Sequence, residues 1–144
     1  MSGFKAIDAV VNIWTPEALK HRPGWTDEFF IGKVKGKHDA GGISLESMIE
    51  GMDAAGIDIS FLVAAKAGRV GLPGCYHMPP EVVAEAIKKY PSRFMGLVGL
   101  DPYQGMDGVR QLEYAVKELG FIGAHLYPHW YDLPPNNARY YPFY

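Results

Sequence analysis

Apolar residues along this chain fall into two patterns. The first is the short segment dense in branched residues without strict alternation: Phe4 to Ile13, Ile57 to Ala64, Arg93 to Leu100 and Phe121 to Leu126. Such segments read as strands covered on both faces. The second pattern repeats at helical spacing: Leu45, Met48, Ile49, Met52, Ala55; then Val83, Ala86, Ile87, Tyr90; then Val109, Leu112, Val116, Leu119. Each set makes one apolar stripe on a helix. The punctuation agrees. Ser44 suits an N-cap with Glu46 in the first turn, and Gly56 suits the C′ position. Pro79-Pro80 opens the second helix and Pro91 stops it; the third runs from Gly105 to Leu119 and Gly120 closes it.

Between these elements lie three long segments. Trp14 to Gly42, with Pro16, Pro23 and Gly41-Gly42, reads as an irregular loop with a short helical turn near Pro16–Lys20. Ala65 to Pro80 and the Pro- and Asn-rich stretch from Tyr127 to Ala138 read as loops too, and Arg139 to Tyr144 as the start of another helix with Pro142 in its first turn. All three loops follow strands, whereas the connections after helices are short. Alternating strands and helices predict a parallel sheet covered by helices. Long loops on the strand C-terminal side are the mark of a βα barrel, although an open doubly wound sheet shares the rule. A complete barrel needs ~250 residues, so the expectation is one incomplete α/β domain over residues 1–144. It holds the first four β/α units, the N-terminal half of a (β/α)8 barrel. Its open sheet edges favour association with another copy, hence a homo-oligomer.

Composition narrows the function classes. Hydrophobic residues at 48% and charged residues at 21% predict a packed core. A net charge of −2 provides no basic field for nucleic acid, and no apolar run is long enough to span a membrane. Met1-Ser2-Gly3-Phe4-Lys5 lacks the form of a secretory leader. Cys75 is the one cysteine, which excludes an internal disulfide. A cytoplasmic protein with a small-molecule substrate is the expectation.

Several segments, in order along nearly the whole chain, resemble the amidohydrolase-related family that includes aminocarboxymuconate semialdehyde decarboxylase and resorcylate decarboxylases. They are Ile7-Asp8-Ala9 with Ile13-Trp14-Thr15-Pro16, Met52-Asp53-Ala54-Ala55-Gly56-Ile57, and Tyr90-Pro91-Ser92-Arg93-Phe94. Gly96-Leu97-Val98, Leu100-Asp101-Pro102, Leu119-Gly120-Phe121-Ile122-Gly123-Ala124 and Tyr140-Tyr141-Pro142-Phe143-Tyr144 complete the set. Within it, the nearest subgroup is the amidohydrolase-type 4-hydroxyphenyl-β-ketoacyl-CoA hydrolases. The resemblance implies a TIM-barrel enzyme in which a His-x-His pair ending the first strand holds a divalent metal such as zinc. Here Val10 and Asn12 occupy those two positions. Valine cannot ligate a metal and asparagine offers only a carbonyl oxygen, so no metal ligand is carried over. The expected activity of the whole parent protein is that of a hydrolase of an aromatic or unsaturated carboxylic acid or its acyl thioester, cleaving next to a carbonyl. The alternatives are a metal-dependent decarboxylase, or a ligand-binding chain without catalysis. The 144 residues alone are expected to be inactive.

The barrel rule points to residues at strand C-termini. Asn12 and His125 are the candidate catalytic residues: an amide to orient a carbonyl or water, and an imidazole that titrates near neutrality. Trp14, Tyr127, His129 and Trp130 are candidate substrate contacts beside them, and Arg69 and His77, with Lys66 nearby, could receive an anion. The plainer readings are a packed core histidine for His125, a strand-end backbone partner for Asn12 and solvated loop charges for the rest. Cys75, next to Tyr76 and His77, has no defined base, and Asp101-Pro102 reads as a turn.

Overall fold

A computed structural model describes residues 6–33 and 41–144. Residues 1–5, including Phe4 and Lys5 of the expected first strand, lie outside the described residues. Among the described residues, six strands and five α-helices run in chain order: β1 (Ile7–Asn12), α1 (Pro16–Leu19), α2 (Trp25–Asp27), α3 (Leu45–Ala55), β2 (Ile59–Ala64), β3 (Lys66–Ala67), β4 (Tyr76–His77), α4 (Pro80–Lys89), β5 (Phe94–Gly99), α5 (Met106–Lys117) and β6 (Gly123–His125). A π-helical turn, Glu28–Lys33, extends α2, and 3₁₀ turns occupy Pro128–Trp130 and Ala138–Phe143.

The main sheet has the order β1-β2-β5-β6, with every pair parallel. The first three of its strands are each followed by a helix that leads to the next strand, and β6 is followed by 3₁₀ turns. Leu62 pairs with Gly96, and a Cβ on Gly96 would lie 2.6 Å from Ile87 on α4 and 2.8 Å from Phe121. That side is therefore the helix-covered face. Leu62, Phe94 and Val98 on it are at most 2% exposed. Side chains alternate across a strand, so the rung formed by Asn12, Val63, Leu97 and Gly123 faces the other way. This inner face is concave and partly open, with Ile7 and Val10 about half exposed on it.

Caps explain where elements begin and end. Ser44 accepts from the Ser47 amide at 3.1 Å and starts α3. At its end Gly56 adopts φ +70°, and the Ile57 amide donates to Met52 O at 2.8 Å. Ile57 is thereby held by the helix, which is why β2 starts at Ile59 and not at Ile57. The same competition shortens β6. The Phe121 amide donates back to Ala115 O at 3.0 Å, leaving Gly123–His125 as strand in place of the expected Phe121–Leu126.

Both long loops carry more structure than expected. In the first, the helical turn expected near Pro16–Lys20 is α1, and α2 and the π-helical turn follow it. Its stem is closed where Ile43 N donates to Trp14 O at 2.9 Å. Gly42 sits at φ +80° there, so close that a Cβ would meet Trp14 O at 2.8 Å and Pro16 N at 2.9 Å. The second loop folds into the antiparallel pair β3–β4. It leaves β2 across Gly99, where a Cβ would lie 2.4 Å from the Lys66 amide nitrogen. The C-terminal segment forms a 3₁₀ turn capped by Asn137, which accepts from Arg139 N at 3.0 Å; it is not the α-helix expected from Arg139.

Candidate active site

The C-terminal ends of β1, β2 and β6 surround a cavity of about 260 Å³. Asn12 comes from the last position of β1, Ala65 from the exit of β2, and Tyr127 from just beyond β6. The first loop adds Arg22 and Trp25, and Tyr76 of β4 closes one wall. Trp25 and Trp130 meet at a centroid separation of 5.7 Å, so the loops that follow the two edge strands touch across the sheet. Trp25, Phe29, Tyr76, Tyr127 and Trp130 give this slot much of its wall.

Asn12 and His125 occupy the same inner face but opposite edge strands. Three strand spacings of about 4.8 Å put them on the order of 14 Å apart along the sheet, less across its concavity. The His125 ring packs against Tyr127 at a centroid distance of 4.3 Å, tilted by 60°. Its Nδ1 is buried without a hydrogen-bond partner among the described residues. Burial holds its pKa below the ordinary histidine value, so the neutral ring is favoured. Burial also raises the phenols of Tyr76 and Tyr127, which stay protonated.

Arg22 is half-buried beside the slot. Its guanidinium lies 4.0 Å from the Trp14 ring centroid and 5.3 Å from that of Tyr76, and Nη2 donates to Ile13 O at 3.2 Å. Burial lowers its pKa, because the charged form is partly stripped of water. The indole N–H of Trp25 is buried with no partner among the described residues.

The anion-binding trio expected on the second loop is spent on structure. His77 Nε2 bonds Gly68 O at 2.8 Å inside the hairpin. Arg69 stacks over Tyr103 at 4.2 Å, away from the slot. Lys66 is buried, not solvated: its Nζ donates to Gln104 Oε1 at 3.1 Å and to Gln111 Oε1. His129 is exposed outside the slot, 6.1 Å from the Tyr127 ring. Asp101 accepts from Tyr103 N at 2.9 Å, the hydrogen bond of an Asx turn.

The sequence matches the amidohydrolase family over residues 9–144. The chain belongs to that family. Among curated relatives, it is similar to the γ-resorcylate decarboxylase of a Polaromonas species, 36% identical over 44% of this chain and 21% of that protein. Among solved structures, it resembles 5-carboxyvanillate decarboxylase of Novosphingobium aromaticivorans, solved with manganese and 4-hydroxy-3-methoxy-5-nitrobenzoic acid. The TM-score is 0.69 at 20% identity, covering 98% of this chain and 46% of that one. It also resembles 4-oxalomesaconate hydratase of Rhodopseudomonas palustris, with TM-score 0.59 at 23% identity, covering 96% and 48%. The chain thus spans about half the length of these barrel structures, as the element order predicted.

The residues of this amidohydrolase half do not fit a divalent metal. Val10 and Asn12 supply at most one weak oxygen at the end of β1, and no group of three or more His, Cys, Asp or Glu side chains converges among the described residues. No helix among them is long and apolar enough to cross a membrane. Among the slot residues that the sequence reading did not single out are Arg22, Trp25 and Tyr76. One signal for the first two was available: Arg22 lies between two tryptophans of the loop after β1, the region the barrel rule favours.

Proposed function

We propose that this chain contributes the first half of the active-site rim of an amidohydrolase-family carboxy-lyase acting on an aromatic carboxylic acid. The observation that carries this reading is the slot itself, a cavity of about 260 Å³ walled by Trp25, Tyr76, Tyr127 and Trp130 at the strand C-termini. Flat aromatic walls favour a planar ring by offset or edge contacts. The volume suits one small ring system, since sites for drug-sized ligands run from ~300 Å³ upward. Similarity to two decarboxylases of hydroxylated aromatic acids supports the substrate class. The reaction breaks the bond between ring carbon and carboxylate; the electron pair stays with the ring carbon, which takes a proton as carbon dioxide leaves. The chain's residues hold and desolvate the ring, and no step is routed through a metal.

A second reading, hydrolysis next to a carbonyl, is favoured by His125. A neutral imidazole whose buried Nδ1 has no partner among the described residues is suited to accept a proton from water and unsuited to deliver one to carbon. The test is incubation of the protein with 2,6-dihydroxybenzoate and with 4-hydroxybenzoyl thioesters, with Mn(II) supplied or withheld, followed by chromatography of the products. Release of 1,3-dihydroxybenzene supports the carboxy-lyase. Thioester cleavage alone replaces it with the hydrolase.

A further inference from the structure

We infer that Trp130 is a specificity-determining residue: held against Trp25 across the rim, it limits the slot to acids with a single aromatic ring and turns away fused two-ring acids. This rests on the reading of the slot as an aromatic-acid site and adds what sets the size of the ring system it takes.

Three observations converge. The first is placement. Trp25 and Trp130 line the same cavity, yet they come from the loops after opposite edge strands, and their rings meet at 5.7 Å. They join two walls of the slot, so a ligand that reaches past this contact must part them. The second is that another part of the lining cannot recede. Ala65 and Ala67 are buried, and a methyl side chain has no rotamer that would make room. The third is the fixed support of both tryptophans. Trp130 ends a 3₁₀ turn opened by Pro128, in which its amide donates to Tyr127 O and the Tyr131 amide to Pro128 O, each at 3.0 Å. Tyr131 is 3% exposed and its hydroxyl donates to Lys66 O at 3.1 Å, so the residue after Trp130 is anchored in the interior. The residue after Trp25 is anchored too: Thr26 is buried and its hydroxyl donates to Pro23 O at 2.7 Å. Trp130 is 40% exposed and Trp25 less so, which makes Trp130 the outer member of the pair. A wall held in this way resists an added ring, and overpacking of that kind lowers affinity on the order of 10- to 100-fold.

The chain's three tryptophans are Trp14, Trp25 and Trp130, and the last two line the slot, so fluorescence reports its occupancy. The test compares 4-hydroxybenzoate with 6-hydroxy-2-naphthoate, which keeps the carboxylate and the hydroxyl and adds one fused ring. At pH 7.5, fluorescence titration follows the first acid and equilibrium dialysis follows both. The wild-type chain should bind 4-hydroxybenzoate about 10-fold or more tightly than the naphthoate, although the larger acid is the more hydrophobic. Trp130→Ala should tighten the naphthoate by about 10- to 100-fold and weaken 4-hydroxybenzoate by about 2- to 10-fold, erasing the preference. Trp130→Phe, which keeps one ring of the wall, should fall between. Wild-type affinity for the naphthoate equal to or above that for 4-hydroxybenzoate overturns the limit while leaving the aromatic slot intact. No saturable binding of either acid overturns the slot reading and this inference with it. A preference retained in Trp130→Ala takes the role away from Trp130. If Trp130→Ala binds neither acid, Trp130→Phe decides, and an unchanged naphthoate affinity there overturns the assignment.

Discussion

The loops after β1 and β2 are similar in raw material and opposite in use. Both follow a strand C-terminus, and both carry an arginine, a histidine and aromatic residues. The first delivers Arg22 and Trp25 to the slot and is pinned at its stem, at Trp14 and Gly42. The second turns its polar groups inward or away. His77 ties Gly68, Lys66 is buried on two glutamines, and Arg69 stacks on Tyr103. The lesson is that a cation on a barrel's active-site side carries no functional meaning until its partner is known. His77 is tied to a carbonyl within its own hairpin, whereas Arg22 stands in the wall of the cavity.

Substitutions can break this contrast. The largest expected effect is Gly99→Ala. The new methyl would meet the backbone of Ala64 and Lys66, which cannot step aside as a flexible side chain can. Overpacking of this kind typically costs about 1–3 kcal/mol, and a clash with backbone belongs at or above the upper end, about 3 kcal/mol. Urea denaturation measures it; a loss under about 1 kcal/mol would mean that the second loop is not seated on β5 as described.

Next comes Tyr131→Phe. The Tyr131 hydroxyl donates to Lys66 O at 3.1 Å in the interior, fastening the second loop to the segment after β6. Its loss should cost about 1–2 kcal/mol, since a buried carbonyl is left unsatisfied. Binding of 4-hydroxybenzoate should stay within about 2-fold of wild type by the fluorescence titration, as expected of a scaffold contact.

His77→Ala should lower stability by about 1 kcal/mol through the lost Gly68 bond, again without changing affinity for the acid. A 10-fold loss of affinity in this variant would return the second loop to the site.

The smallest effect concerns pH. Burial depresses the His125 pKa below its unfolded value of about 6.5, so below that pH the unfolded chain binds more protons than the folded one. Stability attributable to this ring is complete above about pH 6.5 and declines as pH falls from there toward the folded pKa. Thermal melts between pH 7.5 and 5 should show a decline that His125→Gln reduces. An unchanged slope would mean that His125 titrates alike in both states.

Much of the scaffold was legible because its signals are local. Ser44, Gly56, Pro80 and the apolar stripes of α3, α4 and α5 act within one or two turns, and the helices begin and end near where those residues place them. The pairing β3–β4 was not legible, since two residues per strand leave no alternation to read. The helical content of the first loop was obscured by Pro23 and scattered charge, although Thr26 fixes the turn by donating to Pro23 O at 2.7 Å. Of the residues lining the cavity, Asn12, Tyr127 and Trp130 had been singled out by the barrel rule, because it ranks residues by their distance from a strand end. Arg22 and Trp25 lie 10 and 13 positions beyond Asn12 and return to the slot only through the fold of the loop. Tyr76 does so through the hairpin. Periodicity carries no information about such returns.

The clasp at Trp14, Gly42 and Ile43 brings the two ends of the first excursion together whatever lies between them. Chain-closure entropy rises only logarithmically with length, by roughly 0.6 kcal/mol for each doubling. Changes of length between Pro16 and Gly41 that keep the core-packed Ala18 and Trp25 should therefore disturb the parallel strands little while remaking one wall of the cavity. Relatives with different chemistry on the same staves are the natural outcome of a segment buttoned at its base and free to vary in its contents.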